Sequence, residues 1–461
     1  MKIFFTILVF TTLSFSQKLP TKENSYIAKV GNVFISEEEF VTRFEFSPAL
    51  HRKSSSVEYD KREFLISLIA EKLLSQQAQR IGLNDSSFYD GFSDIHKMLL
   101  RDELYRKEIS QKVQLSEKEI QQGIREATKE IFLSYFFCER EEDAQFLYLQ
   151  LKNNKILEID SSFAVFTDTI TVVWGEAEPS IEKTAYTTPI GTTSPPVFAG
   201  NGFYIIQPKK NQRSDYYSSL PPQSLRKQVE KILHTRKEKE YFEKYLQQFL
   251  KNKIGYSKPE IFTTLAKTLS EIFPHDTTSE TLFTSENIHT AKQKLSLSLQ
   301  DTFVVFQNKY WSLEYVIEKL REKKFFLSPA KNSYQIIGNQ LHTYITVLVQ
   351  QELLAEEAKN QKLDTSSAIK KKITMWYDAA LATKLQMLLK NQNIDIEKYI
   401  VALAEQEGVE TYDERIKNIE VTPIPMMTFR ILGFGGRMFE VPFLEKHIEW
   451  IGIDTGKKIV P

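Results

Sequence analysis

One cysteine, Cys138, serves all 461 residues, so an intramolecular disulfide is excluded and stability must come from packing. Because Cys138 ends an apolar run, it reads as a small core residue in preference to a reactive thiol. No histidine stands between His96 and His234, and no cysteine or carboxylate pair falls there at ligand spacing, so neither a metal nor another cofactor is expected. Net charge is also missing, with Lys plus Arg at 60 and Asp plus Glu at 60. A neutral chain without a long basic block gives no electrostatic reason to expect nucleic acid as partner. Glycine is sparse, at 16 residues, which with a repeated charged–apolar periodicity points to a mostly helical chain. The length is too great for one compact domain.

What is present begins with Met1 to Gln17, which has one positive charge, a short apolar core and a small residue before a polar one. Residues 1–16 are expected to be a secretory signal peptide cut near Ser16. The alternative is an uncleaved anchor, but the apolar run is shorter than the ~20 residues a spanning helix needs. No other segment is long and apolar enough to span, and no cysteine follows the apolar core to carry lipid.

Residues 17–115 open with a hairpin pattern, Tyr26 to Ile35 alternating around Gly31-Asn32. Ser36 and Glu39 then have capping-box spacing, predicting a helix from Phe40. Phe64, Leu65, Leu68, Ile69, Leu73 and Ala78 form the stripe of a second helix that stops at Gly82. Phe92 to Ile109 reads as a third. A second capping box at Ser116 and Glu119 opens the next segment.

Residues 116–212 carry the most informative order. An apolar strand, Ile131 to Cys138, leads into a helical run, Glu141 to Leu151. A short helix, Pro179 to Tyr186, precedes Gly191 and the Ser194-Pro195-Pro196-Val197 turn, and the strand Gly202-Phe203-Tyr204-Ile205-Ile206-Gln207 closes it. This order resembles the parvulin-type peptidyl-prolyl isomerase domain. The preceding run, Ala28 through Leu83, resembles the N-terminal helical segment of the periplasmic SurA-like folding factors. The resemblance implies an α+β fold, a mostly helical chaperone body with a parvulin-like β-α domain inserted in it. It further implies that residues 213–255, a long helix capped by Ser224, return to complete the N-terminal cradle.

The second half repeats the first. A shift of 280 carries Leu73, Leu74, Ala78, Leu83 and Ser86 onto Leu353, Leu354, Ala358, Leu363 and Ser366. Upstream, Asn32 to Glu38 is echoed by Asn308 to Glu314, four residues out of register. Residues 301–392 are therefore read as a second copy of the helical cradle segment, with 256–300 as a connector. Residues 393–461 are read as a helix from Ile394 to Glu407, a hairpin through Gly433, Gly435 and Gly436, and a further helix. Those glycines lack the Lys-Ser/Thr of a phosphate loop and are taken as a tight turn.

Prolyl isomerisation needs only a twisted amide stabilised against a barrier of ~18–20 kcal/mol. The parvulin family uses two histidines, an Asp or Cys nearby, and an apolar proline pocket. The resemblance carries the histidines onto Tyr135 and Tyr204, the Asp near Thr171 and the pocket Phe onto Ile181, with Trp174 and Tyr186 retained. These six residues are the candidate peptide-binding set, and Tyr135 and Tyr204 are the catalytic candidates. The tyrosines are expected on adjacent strands facing one groove. Two roles are open for them: a replacement hydrogen-bonding dyad, or packing residues that leave an aromatic groove suited to apolar peptide.

The implied function is an exported, periplasmic chaperone for unfolded or nascent envelope and outer-membrane proteins, taking aromatic-rich or proline-containing peptides. The rivals are an active peptidyl-prolyl isomerase and a structural subunit of an envelope assembly.

Overall fold

A computed structural model describes residues 25–48, 56–153, 166–200, 202–253, 255–272, 281–282, 284–322, 326–327, 334–422 and 428–447. The expected signal peptide, residues 1–16, lies outside them, as do residues 448–461 of the segment in which a last helix is expected. Two compact units divide the chain: residues 108–252 form one, and the segments before and after them form the other. The fold is α+β, mostly helical with small sheets. Among the described residues no helix is long and apolar enough to cross a membrane.

The larger unit begins with the strands Tyr26–Val30 and Val33–Ser36. Gly31 sits at φ +57° in the turn between them, a left-handed conformation that glycine adopts without a Cβ penalty. Ser36 accepts from the Glu39 amide at 3.1 Å, so the helix Glu37–Phe46 starts three residues before the expected Phe40. The Glu39 carboxylate pairs with Lys72 at 2.6 Å. The helix Val57–Arg80 is buried along nearly its whole length from Asp60 to Ser75, and it shares its core with the helix Ser367–Asn391 through Leu68, Leu381 and Leu385. It ends where Gly82 turns left-handed, φ +78°. The helix Ser93–Glu108 follows.

The second half of this unit runs in the same order. Strands Thr302–Phe306 and Lys309–Ser312 lead into helices Leu313–Glu322, Tyr334–Asn360 and Ser367–Asn391. Each hairpin gains a third strand. The first takes Val409–Thr411, the second takes Gly255–Ser257, and in both the new strand lies antiparallel to the hairpin's first strand. The strand following the long 213–255 segment closes the second hairpin, and the first is closed from the C-terminal part of the chain. The expected connector 256–300 contains two helices, Pro259–Ile272 and Ser285–Lys294. The glycine turn near residue 435 joins two short antiparallel strands, Phe429–Ile431 and Arg437–Phe439.

The smaller unit is built on a four-stranded antiparallel sheet in the order Phe166–Val173, Lys129–Cys138, Gly202–Arg213, Val197–Ala199. Its two faces bury different residues. Ile131, Leu133, Val172 and Ile206 pack with Ala185 of the helix Pro179–Thr187. Cys138 and Ile205 pack with Ala144 and Leu147 of the helix Glu141–Lys152. The Gly191 to Ser194 turn is strapped to the central strand, Gly191 donating to the Pro208 carbonyl and Ser194 to that of Ile206, both at 2.8 Å. The capping box of Ser116 and Glu119 closes on both sides.

The long helix spans Pro222–Leu250. Pro222 occupies its first turn, where a missing N–H costs nothing, so the helix begins before the expected cap at Ser224. Val229 and Leu225 join Trp174, Tyr217 and Ala127 in one core, which docks this helix on the rest of the smaller unit.

Candidate functional site

Strand alternation decides which side chains share a face. Ile131, Leu133, Tyr135 and Phe137 lie on one side of their strand, and Tyr204 and Ile206 on the same side of the next. The register pairs Tyr135 with Ile206 and Phe137 with Tyr204. Tyr135 and Tyr204 are thus diagonal neighbours, with ring centroids 5.7 Å apart, and Phe137 lies 5.0 Å from Tyr204. The three rings make an aromatic strip. Burial pushes the Tyr135 hydroxyl above the ordinary tyrosine range, with Asp168 adding to it, and burial does the same at Tyr204, aided by Glu178. Both hydroxyls are therefore neutral donors at neutral pH, unlike a histidine pair.

Ile181 packs in the same cluster as Tyr135 and Tyr204, so the structure brings these three candidates together. Thr171 does not join them. It pairs with Phe132 and so faces the other side of the sheet. The residue opposite Tyr135 on the edge strand is Asp168, whose carboxylate accepts from the Thr169 amide at 2.7 Å. Phe137 and Asp168 were missed by position-by-position matching, although the alternation Ile131, Leu133, Tyr135, Phe137 already places Phe137.

Gly202 makes room for the strip. A Cβ there would lie 2.4 Å from the Phe137 ring and 2.7 Å from the Cys138 carbonyl. Phe137 can fold over the end of the sheet because that position carries no side chain.

Trp174 and Tyr186 belong to a different place. Trp174 is 1% exposed, too buried to touch a peptide. Its indole N–H donates to Glu126 at 3.1 Å, its carbonyl accepts from the Tyr217 hydroxyl at 3.0 Å, and the Arg236 guanidinium lies 4.9 Å from its ring. The Tyr186 hydroxyl donates to the Lys129 carbonyl at 2.6 Å. Beside them Glu182 accepts from the Gly175 amide at 2.6 Å and pairs with Arg236 at 2.7 Å. Burial pushes the Glu182 carboxyl up, and Arg236 pulls it partly back. A cavity of about 260 Å³ is lined here by Glu126, Glu182, Lys183, Tyr186 and Arg236. Arg236 brings the long helix into this network through Glu182 and Trp174, which makes the place a docking joint for that helix.

The chain matches no family model and no curated protein. It is similar to solved structures over part of its length. Peptidylprolyl isomerase PrsA from Bacillus anthracis is 16% identical with a TM-score of 0.19, covering 39% of this chain and 96% of that one. A structure from work on the SurA-like chaperones PEB4 and Cj1289 of Campylobacter jejuni is 14% identical with a TM-score of 0.23, covering 49% and 97%. PrsA from Bacillus subtilis is 16% identical with a TM-score of 0.15, covering 51% and 96%. Likenesses at this level leave function to be argued from the chain's own residues.

Proposed function

We propose that this chain is an exported, SurA-like folding factor that holds unfolded clients in the periplasm, with a parvulin-type module that has given up its histidine dyad. The observation that carries the reading is the strip Tyr135, Tyr204 and Phe137, lying where the resemblance puts the two histidines, on a sheet with strand, helix, short helix and strand in parvulin order. An imidazole pair can exchange protons near neutral pH. Two tyrosines held above their ordinary range offer neutral hydrogen bonds and apolar rings, which suits capture of an extended apolar peptide better than turnover.

Exposed apolar side chains support the same reading. Phe198, Tyr256 and Tyr310 are 61%, 58% and 68% exposed, and the outer side of the helix Glu141–Lys152 offers Phe146 and Leu149 to solvent. Clients of matching chemistry are unfolded envelope or outer-membrane strands, rich in aromatic and aliphatic residues. The second reading, a slow isomerase, draws on Asp168 facing Tyr135, because a carboxylate beside the hydroxyl could polarise it toward a twisted amide.

Two assays on the full chain separate the readings. Suppression of aggregation of an unfolded barrel protein is expected, and its absence would favour a structural subunit. In a protease-coupled proline assay the expected rate equals the uncatalysed one. Catalysis that disappears in Tyr135→Phe would establish the isomerase instead.

A further inference from the structure

The two hairpins of the larger unit agree residue by residue. A shift of 276 carries Val30 paired with Val33, Lys29 with Phe34 and Ala28 with Ile35 onto Phe306 with Lys309, Val305 with Tyr310 and Val304 with Trp311. The irregularity also coincides, since the pair Tyr26 and Ser36 maps onto Thr302 and Ser312. Gly31 and Gln307 occupy the same turn position, both at positive φ. Ser36 caps the helix after the first hairpin through the Glu39 amide, and Ser312 caps the one after the second through the Tyr315 amide.

The long helices end alike as well. Ile81 donates to the Gln77 carbonyl and Gly82 to that of Gln79; a shift of 280 gives Gln361 to Glu357 and Lys362 to Lys359, as found. Gly82 and Lys362 are both left-handed, at φ +78° and +59°.

The third strands obey the same rule. Val409, Glu410 and Thr411 pair with Val30, Lys29 and Ala28, and Gly255, Tyr256 and Ser257 pair with the equivalent Phe306, Val305 and Val304. Each closing strand stands in sequence at the end of one repeat and in space in the sheet of the other. Ion pairs between the repeats follow this exchange. Lys72 of the first long helix meets Asp378 at 2.8 Å. Its counterpart under the shift of 280 is Glu352, which meets Lys97 at 2.8 Å, with Lys97 mapping one residue from Asp378. The signs are reversed, and the places agree to within one residue.

We infer that the larger unit is a strand-exchanged dimer written into one chain: two copies of a hairpin–helix unit, each closing the other's sheet and each offering the other its interface. The partner that fits the inner surface of either copy is the other copy of the same chain. The smaller unit is inserted in the sequence after the first copy only. This inference is independent of the client-binding reading, because it rests on register and pairing alone.

Cysteine pairs test it in the full chain. Lys29→Cys with Glu410→Cys, and separately Val305→Cys with Tyr256→Cys, in a Cys138→Ser background, place thiols on directly paired positions of the exchanged strands. Oxidation is expected to cross-link both variants within one chain, giving a single-chain band of faster, reductant-sensitive mobility on a denaturing gel. Covalent dimers would mean that the strands are exchanged between chains and would overturn the inference. Failure of either pair to cross-link under oxidant that links a control pair across the second hairpin, Val305→Cys with Tyr310→Cys, would also overturn it.

Discussion

Asp168, Phe137 and Gly202 set the character of the candidate groove as much as the two tyrosines do. Gly202 is the most sensitive of them, because any Cβ there collides with both a ring and a backbone carbonyl. Gly202→Ala is expected to displace Phe137 and cost about 1–3 kcal/mol, the usual penalty of overpacking. Urea unfolding would measure it, and peptide binding should fall with it. The aromatic pair was legible through the family resemblance, which carries two histidines of neighbouring strands onto Tyr135 and Tyr204, and the period-two alternation of the strand adds Phe137 to their face. Asp168 was not legible. An edge strand's register depends on its neighbour, and Thr171, where the resemblance puts the family's Asp, lies three residues along the strand from Asp168 and so on its other face. Trp174 and Tyr186 were visible as residues but not as occupants of the docking joint, since a sequence does not tell a buried indole from an exposed one.

Arg226, Arg236 and Lys237 of the long helix Pro222–Leu250 pair with Glu117, Glu182 and Glu119 of the same unit, and the Arg236 pair is the most buried of the three. Arg236 pairs with Glu182 and lies against Trp174. Ile232, one turn before Arg236, fills the space that a side chain at Gly175 would need. Arg236→Met leaves Glu182 buried without its cation, and the expected loss is about 3 kcal/mol, the low end for breaking a buried pair because Arg236 keeps some contact with water. The pH dependence has a definite sign. A carboxyl whose folded value is raised binds protons more tightly in the folded state, so stability is greatest at low pH and falls as pH rises through the raised value. Removing Arg236 should steepen that fall, and urea midpoints at mildly acid and mildly alkaline pH would reveal it; a parallel shift at both would assign the loss to packing alone. Helices with strong stripes and caps were readable at this scale. The stretch 256–300 was readable only as a helical connector with a polar loop, and it holds the helices Pro259–Ile272 and Ser285–Lys294.

Across the molecule, the repeat could be recognised from order and spacing, but the exchange of strands could not. Three-residue strands such as Val409–Thr411 carry almost no pattern of their own and are defined by the hairpins they join. The ion pairs across the repeats give the larger unit a titration signature. Burial would raise the Glu352 carboxyl, but hydrogen bonds from Lys97 and Lys309 outweigh it and hold it below the ordinary glutamate range. Its stabilisation is therefore complete above that range and is lost as pH falls through the lowered value. Glu352→Gln should reduce stability at neutral pH and flatten the acid limb of the unfolding curve.

The reciprocal closure also fixes when this protein can finish folding. Val30 and Val409 are paired neighbours in the sheet, yet almost the whole chain separates them. During synthesis or export the first hairpin must wait, one edge unpaired, until its closing strand arrives near the end. Contacts of such separation form slowly, and an open strand edge is a template for wrong pairing. A chain read as a guardian of unfolded strands thus spends its own early life as one.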